Sequence, residues 1–531
     1  MDTYDFAIVG SGFGGSVAAH RLTEKGYRVM VLERGRRFSD LEFPKTNWDL
    51  RNYLWMPALG CHGIMEFSFL RHALYVHGSG VGGGSLVYAG VLMEPEEHVF
   101  EAEEWSRLAD WRSLLVPYYA EARRMLGVAR NPRIGPADQV LERLAGAAGQ
   151  QDTFRPTDVG VFFGDPGVPV ADPYFGGEGP ARSGCTFCGG CMVGCRLNSK
   201  NTLVKNYLYF AESGGARVLP DVLVDRLLPL PQGEADGARF LLGFRRLRGL
   251  GRGEIRARNV VVAAGTLGTL ELLLRCRDGL RSLPRLSPRL GERVRTNSES
   301  LLGSIAREAD VDYSEGVAIS SIVHADAITH VEPVRYPEGS SFIRLLTLPL
   351  IDAPGQGFLV RLAKTLAAIL RRPIDFVREK AFPRWARRTT ILLVMQAQEN
   401  FLSMRWARGP LAFFHSGPVT RRDNPAPAPA ELPIAHALAR AFAGETRGSP
   451  VGSWTETLFD MSVTAHLLGG CPIGRSAEEG VVDMKGEVFG YPGLYVLDGS
   501  IVPGNPGVNP SLTITAMAEF VMDQMPPRVA A

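Results

Sequence analysis

Short apolar runs followed by helical patterns recur at three distant places along the chain. Phe6–Val9 precedes a predicted helix from about Gly14 to Lys25. Asn259–Ala264 leads into a Leu-rich helical stretch, and Leu494–Leu497 precedes a C-terminal helix. Short apolar runs that lead into helices are typical of buried parallel strands. The pattern therefore predicts an α/β fold whose nucleotide-binding domain is assembled from discontinuous segments.

The region from about Leu302 to Trp454 lacks these strand–helix units and contains basic amphipathic stretches such as Phe358–Lys364. It is predicted to form a second domain inserted into the first, and a Pro/Ala-rich stretch, Asn424 to Pro433, is interpreted as an exposed connector. The predicted segments are 1–110, 185–301 and 459–531 for the nucleotide-binding domain, 111–184 for a cap, and 302–458 for the substrate domain.

The length of 531 residues agrees with two domains. Lys and Arg total 58 against 56 Asp and Glu, and this near balance provides no electrostatic field for nucleic acid. The N-terminus runs directly into the first strand without a signal-peptide pattern, and no apolar run reaches the roughly 18 residues of a membrane helix. We expect a cytoplasmic protein that binds no nucleic acid.

Two glycine clusters indicate a bound dinucleotide. Gly10–Gly15 has the pattern G-x-G-x-x-G between a strand and a helix, and Glu33 ends the following strand. Such glycines allow a tight turn and a close approach to a pyrophosphate, while the acidic residue binds a ribose. The second cluster, His77–Ser85, suggests backbone pressed against a large ligand. The motif alone does not separate FAD from NAD.

Ordered landmarks give the chain a family resemblance. These landmarks are Gly10–Gly15, Gly78–Ser85, Val262–Leu267, His466–Cys471 and Val508–Ala516. With them the chain resembles the glucose–methanol–choline (GMC) oxidoreductases, and most of all their cholesterol-oxidase-like branch. This chain also carries a cluster of four cysteines between Cys185 and Cys195. The resemblance implies a Rossmann-like FAD domain, and an α+β substrate domain built on a mostly antiparallel sheet. It also implies hydride transfer from an alcohol to flavin N5.

The resemblance assigns the reacting carbon to a His/Asn pair, which by position is His466 and Asn509. Imidazole titrates near neutrality and suits removal of a hydroxyl proton. Asn509 precedes Pro510, so we place it at a helix N-cap, where the helix dipole would favour an anionic reduced flavin. The residues expected to contact FAD are Gly10, Gly12, Phe13, Gly14, Gly15, Glu33, Gly80, Gly82, Gly83, Ser85, Val222, Ala264, Gly265, Asp498, Gly499, Asn509, Pro510 and Ser511.

Four cysteines crowd into eleven residues with the spacing C-x2-C-x2-C-x3-C: Cys185, Cys188, Cys191 and Cys195. This spacing is typical of iron–sulfur ligation, and we predict one 4Fe-4S or 3Fe-4S cluster. Zinc and unmetallated thiols are the alternatives, and Cys61 could replace Cys195 as the fourth ligand. A cluster would be an exit for electrons toward an acceptor protein, whereas dioxygen would be the simpler acceptor without one.

The expected substrate is a small apolar alcohol, sterol-like or lipid-like. Residues 341–390 hold ten Lys/Arg and three Asp/Glu among apolar residues, a pattern that suits contact with an anionic membrane, a solvated helical face or a docking surface for an acceptor. Glu399 lies in a plausible strand, and we interpret it as structural rather than as the isomerising glutamate of some cholesterol oxidases. Desaturation, C–C cleavage or reduction on the same scaffold, or an electron-transfer module without its own substrate, are the competing functions.

Overall fold

The computed structural model describes residues 3–308, 310–381, 383–408, 416–422 and 431–529. Within these ranges, no helix combines the length and the apolar character that crossing a bilayer requires. Most of the predicted connector at 424–433 lies outside the described residues, and its last residue, Pro433, begins a helix.

The first of two large sheets is built from segments that are far apart in sequence. Its parallel strands end in register, so that Val9 pairs with Val262 and Val262 pairs with Val496. Their carboxyl ends therefore share one edge, where the loops of α/β sheets usually bind ligands. In order across the sheet the strands are Arg217–Leu219, Val29–Leu32, Thr3–Val9, Arg252–Val262, Phe240–Arg246 and Val222–Pro229, with Leu494–Val496 also paired to Arg252–Val262.

The second large sheet is antiparallel throughout and lies mainly in the region after residue 299. Buried residues from its strands pack against the helices Pro136–Ala147 and Pro433–Glu445. This is the predicted mostly antiparallel sheet, and the predicted fold class is confirmed. In order across the sheet the strands are Thr347–Pro349, Gly448–Ser453, Ser300–Ala306, Thr389–Gln396, Thr329–Val334, Ser321–His324 and Arg155–Pro156.

The helices and smaller strands cover and join the two sheets. The helices are Phe13–Glu24, Leu50–Tyr53, Glu103–Ser106, Trp111–Met125, Pro136–Ala147, Tyr207–Ser213, Gly265–Leu274, Phe358–Arg371, Pro373–Ala381, Trp385–Arg388, Pro433–Glu445, Trp454–Phe459 and Ser511–Asp523. The remaining strands are Trp55–Met56, Cys61–His62, Met65–Phe69, Ala73–Gly78, Ala129–Arg130, Asp158–Val159, Pro169–Val170, Arg182–Ser183, Val294–Arg295, Phe401–Arg408, Ser416–Arg422 and Ser462–Thr464.

Candidate active site

A cavity of about 460 Å³ lies between the two large sheets and reaches the carboxyl edge of the parallel strands. Three helices begin at its wall, at Phe13, Gly265 and Ser511. The helix starts at Phe13 and Ser511 receive no side-chain cap, so their first N–H groups are left for a ligand, whereas the N–H of Gly265 donates to Asp498. Helix N-termini attract phosphate and other anionic groups. Their convergence fits a large anionic cofactor such as FAD.

The glycines of the two clusters pack against each other and leave room beside them. A Cβ on Gly14 would lie 1.8 Å from the carbonyl oxygen of Leu497, so only glycine fits where this helix meets the last parallel strand. Gly83 approaches Gly12 so closely that its Cβ would lie 2.7 Å from Gly12 Cα. A Cβ on Gly12 itself would meet nothing within 4 Å. It would point into the open space beside Gly12 and Gly83, which we call the glycine cradle. The cradle thus has the open backbone surface that a pyrophosphate needs.

Glu33 is held at the end of its strand by the glycine loop. Its carboxylate accepts hydrogen bonds from Ser11 Oγ at 2.7 Å and from the backbone N–H of Gly35 at 2.8 Å. The side chain is buried and lines the cavity, where it can accept hydrogen bonds from a ribose diol.

The structure brings most of the predicted site residues to the wall of this one cavity. Four predicted residues lie behind the wall: Gly15, Gly80, Gly82 and Ser85. Ser85 Oγ donates to the carbonyl of Gly82 at 2.6 Å and supports the second glycine loop. The predicted residues on the wall are Gly10, Gly12, Phe13, Gly14, Glu33, Gly83, Val222, Ala264, Gly265, His466, Asp498, Gly499, Asn509, Pro510 and Ser511.

His466 follows the strand Ser462–Thr464 and is held by a carboxylate that sequence reasoning did not identify. Its Nδ1 forms a short hydrogen bond with Glu299, which also accepts the backbone N–H of Ala465 at 2.9 Å. Burial lowers the pKa of His466, but the charge of the Glu299 carboxylate and its hydrogen bond outweigh burial, so the net shift is upward. With Nδ1–H donated to Glu299, Nε2 is the ring nitrogen available as a proton acceptor.

Asn509 lies beside a second buried carboxyl group. Its Nδ2 donates to Glu332 Oε2 at 3.4 Å, while Asn509 Oδ1 and Glu332 Oε1 are buried without a partner among the described residues. Burial raises the pKa of Glu332 to about 8, so this group is largely protonated at neutral pH. Asn509 lines the cavity, and its unpaired oxygen can accept a hydrogen bond from a ligand.

The prediction that Asn509 is an N-cap is wrong. Pro510 occupies that position, because its carbonyl accepts the first helical hydrogen bond, from Ile514 N–H at 2.9 Å. The backbone of Val508 accepts a bond from Asn297 Nδ2 at 3.2 Å, which fixes the chain just before Asn509. The Asn509 side chain is therefore free of the helix end and points toward Glu332 instead.

Glu399 lies beyond the end of the strand Thr389–Gln396 rather than within a strand. Its carboxylate accepts hydrogen bonds from Arg295 Nε and from the backbone N–H of Asn505, both at 2.6 Å. Arg295 is almost fully buried and needs this counter-charge. These contacts support the structural interpretation of Glu399.

Local sequence marks neither of the two acidic residues as part of the site. Glu332 stands in the strand Thr329–Val334, which is fully buried in the fold but also holds the polar residues Thr329 and His330. Glu299 lies in a short polar stretch just before the strand Ser300–Ala306, where nothing in the local pattern marks it. Only the folded chain brings Glu299 to His466.

Apolar side chains dominate the part of the cavity beyond His466. They come from the antiparallel sheet and from the segments that flank it, and a bulky apolar ligand would fit such a surface. The residues are Met65, Phe67, Leu74, Leu301, Ile343, Leu346, Ile391, Leu393, Val451 and Trp454.

The four clustered cysteines lie together at the edge of the antiparallel sheet, outside this cavity. Cys185 and Cys191 are buried, whereas Cys188 is exposed. Backbone N–H groups of Phe187 and Ser199 donate to the sulfurs of Cys185 and Cys195, each at 3.4 Å. Burial is the main cause that raises the pKa of Cys185 to about 12, and the neighbouring thiols act in the same direction. All four sulfurs are thus close enough to interact, and metal binding at them stays a prediction.

Two buried cations lie beside these cysteines without a carboxylate partner among the described residues. Lys200 Nζ donates to the carbonyl oxygens of Leu86, Tyr88 and Cys191, at 2.9, 3.3 and 2.6 Å. Arg182 donates to the carbonyl of Ser199 at 3.0 Å, while its Nε and Nη1 are buried without a partner. Buried cations are normally paired, so this place in the fold carries an excess of positive charge.

Comparison with known proteins gives the same fold and family. A cholesterol oxidase of Mycobacterium tuberculosis is 47% identical to this chain over 97% of the chain and 90% of that protein. A cholesterol oxidase of Acinetobacter baumannii is 44% identical over 98% of the chain and 94% of that protein. Among solved structures, pyridoxine 4-oxidase from Mesorbium loti superposes with a TM-score of 0.62 at 18% identity, covering 98% of both chains.

Family descriptions match the segments that form the cavity wall. The GMC oxidoreductase family matches residues 181–294 and 432–518, and an NAD(P)-binding Rossmann-like domain matches residues 8–40. The last of these ranges holds the first glycine cluster and Glu33, and the range 432–518 holds His466 and Asn509. Taken with the convergent helix starts and the open glycine cradle, these matches show that the chain belongs to the GMC oxidoreductases and is an FAD-dependent alcohol oxidoreductase.

Proposed function

We propose that the protein oxidises the hydroxyl group of a sterol-like alcohol to the carbonyl. The observation that carries this proposal is the placement of His466, with Nδ1 bound to Glu299 and Nε2 left for a ligand in a cavity that is apolar beyond it. FAD, when bound along the glycine cradle, supplies the hydride acceptor. The remaining chemistry belongs to side chains of the chain itself.

In this proposal His466 Nε2 accepts the hydroxyl proton as the carbon–hydrogen bond breaks and the carbonyl forms. Glu299 holds the tautomer in which Nε2 is unprotonated, and its charge stabilises the imidazolium that results. Asn509 Nδ2 has a second N–H besides the one that faces Glu332, and it donates this N–H to the oxygen of the same hydroxyl group and so orients the carbinol carbon. The protonated carboxyl of Glu332 adds no second negative charge beside the reacting oxygen.

The relatives favour the substrate and the acceptor. Two proteins that are 44–47% identical to this chain are named cholesterol oxidases, and a long-chain-alcohol oxidase of Arabidopsis thaliana is 27% identical over 98% of the chain and 67% of that protein. These names favour an apolar alcohol as donor and dioxygen as acceptor. The apolar cavity wall supports a rigid, bulky substrate of sterol type.

Anaerobic mixing with cholesterol tests this proposal. We expect loss of the oxidised-flavin absorbance and formation of one carbonyl product per flavin, and then hydrogen peroxide once air is admitted. A linear primary alcohol of similar hydrophobicity is the matched comparison, and it should react more slowly. No flavin reduction by any sterol would contradict the proposed substrate, and carbonyl formation without peroxide would contradict dioxygen as acceptor.

We further infer that the four cysteines hold one iron–sulfur cluster, which would give electrons a second exit from the flavin site besides dioxygen. The spacing of the cysteines, the N–H groups aimed at two sulfurs and the unpaired cations Lys200 and Arg182 support a bound anionic cluster. No three of these sulfurs come within 4.8 Å of one another. Sulfurs on one zinc ion would be about 3.8 Å apart, as follows from Zn–S bonds of about 2.3 Å. The wider spacing of the four cysteines therefore favours an iron–sulfur cluster over a single zinc ion.

Anaerobic purification followed by iron, zinc and sulfide analysis tests the cluster. We expect iron and acid-labile sulfide in similar amounts, and an EPR signal in one redox state. Cys188→Ser should remove most of the iron, because it removes one ligand. Cys188 is exposed, so its replacement disturbs packing least. Cys61→Ser is the matched control and should retain the iron, because Cys61 is not among the thiols that raise the pKa of Cys185, which are Cys188, Cys191 and Cys195. Protein with zinc alone, protein without metal, or iron that survives Cys188→Ser would overturn the inference.

A further inference from the structure

Two neighbouring helices, Phe358–Arg371 and Pro373–Ala381, have an inverted arrangement of polar and apolar faces. The face of the first helix that packs on the protein is formed by Arg361 and Thr365. Arg361 donates to Asp460 at 3.0 Å and to the carbonyl of Glu456 at 2.9 Å. A surface helix normally buries its apolar face. This helix is anchored through a buried cation, and its apolar face is turned outward.

The outward face forms a continuous apolar surface, which we call the apolar ridge. In the first helix Leu359, Leu366 and Leu370 share one side, and Leu359 and Leu370 are each 77% exposed. The second helix continues the ridge with Ile374, 67% exposed, and Val377. Contiguous exposed apolar surfaces of this kind mark sites of interaction.

Exposed cations surround the apolar ridge. Lys364 lies on the first helix, Arg371 and Arg372 lie at the junction of the two helices, and Arg378 lies on the second. A helix that joins a leucine-rich face to flanking Lys and Arg lies in the interface of anionic lipid, with its apolar side chains below the headgroups. The positive charge around the apolar ridge therefore favours an anionic membrane surface over an uncharged partner.

Aromatic side chains connect the apolar ridge with the substrate cavity. Phe358, at the start of the first helix, stacks on Phe459 with ring centroids 5.3 Å apart. Phe459 contacts Trp454 at 5.6 Å, and Trp454 lines the cavity. The segment Phe342–Leu346 also joins the two places, because Ile343 and Leu346 line the cavity while Leu345 is exposed. These contacts join the ridge to the apolar part of the cavity wall.

We propose that the apolar ridge docks the protein on an anionic lipid bilayer, with the adjoining apolar part of the cavity wall turned toward the membrane. The inference deepens the proposed function, on which its biological sense rests: a sterol resides in the bilayer and would reach the cavity without crossing water. Docking itself requires no turnover, so the two proposals can be tested separately.

Cosedimentation of the flavin-loaded protein with phosphatidylcholine vesicles, with and without phosphatidylserine, tests the docking. We expect binding that phosphatidylserine strengthens and salt weakens. The triple variant L359Q/L366Q/L370Q should lower the bound fraction about tenfold, since it removes three inserting side chains. L250Q is the matched control and should bind normally, because Leu250 is fully exposed on the hairpin between Phe240–Arg246 and Arg252–Val262.

Three further readouts decide among the outcomes. The triple variant should keep its melting temperature, its flavin content and its turnover of a detergent-dispersed alcohol, since none of its altered residues lines the cavity. Vesicle binding by the triple variant equal to that of the unaltered protein would overturn the proposal. A dimer that becomes monomeric in the triple variant, without vesicle binding in either, would also overturn it and assign the ridge to self-association. Vesicle binding without sterol oxidation would leave docking intact and contradict the proposed function alone.

Discussion

Replacing His466 by alanine is expected to lower kcat/KM for the alcohol by at least about a hundredfold while FAD stays bound. The imidazole is the group placed to take the hydroxyl proton, because its Nδ1 is committed to Glu299 and Nε2 faces the cavity. Stopped-flow reduction of the flavin under anaerobic conditions measures this step directly, and the visible spectrum reports flavin content.

His98→Ala is the matched control for this change. His98 is exposed in the short helix Glu97–Glu101 and is not one of the residues that line the cavity, so its replacement should leave flavin reduction unchanged. Flavin reduction by His466→Ala at close to the normal rate would show that another group removes the proton. Loss of flavin in this variant would instead assign His466 a role in binding the cofactor.

Replacing Glu299 by glutamine is expected to change both the rate and its pH dependence. The active form of His466 is neutral, so kcat/KM should rise with pH through the raised pKa of His466. Glutamine removes the charge and the ionic hydrogen bond that raise this pKa, and burial, which lowers it, then dominates. The acid limb of the pH profile should therefore move to lower pH, while the plateau falls about a hundredfold as the tautomer is lost.

Glu399→Gln separates this effect from a general loss of buried charge. Glu399 is bound to Arg295 and to the backbone of Asn505 rather than to His466. Its replacement should lower the melting temperature, because a buried guanidinium loses its counter-charge, but it should leave the acid limb in place. An acid limb in Glu299→Gln that stays where it is in the unaltered protein would contradict the proposed positioning of His466.

The sequence predicts those parts of the fold that depend on local patterns. Apolar runs such as Phe6–Val9, with a glycine cluster after them, specify a parallel strand, a turn and a helix within a few residues of one another. Glu33 and Asp498 each follow a predicted parallel strand, and the carboxyl ends of parallel strands share one edge of the sheet. Both acids are therefore expected at that edge. Hence most of the predicted cofactor residues lie on one cavity wall.

The acidic partners of the site could not be predicted in this way. Glu299 and His466 are 167 residues apart in sequence, and Asn509 and Glu332 are 177 apart. Their pairing depends on how the antiparallel sheet packs against the parallel one, and no local sequence pattern encodes that packing. Likewise, the apolar period of Phe358–Arg371 predicts a helix but not which side faces outward. The buried Arg361 determines the orientation through Asp460, which lies far along the chain.

The order of the parallel strands has a consequence for the synthesis of the protein. The strand Leu494–Val496 and the helix Ser511–Asp523 both contribute to the FAD cradle, yet they are synthesised after every other strand and helix that lines it. A nascent chain that holds the first glycine cluster must therefore wait for about 500 further residues before its nucleotide site is complete. Cofactor insertion therefore follows the synthesis of both elements, and until then Val260–Val262, the part of its strand that pairs with Leu494–Val496, is an exposed edge that chaperones can protect.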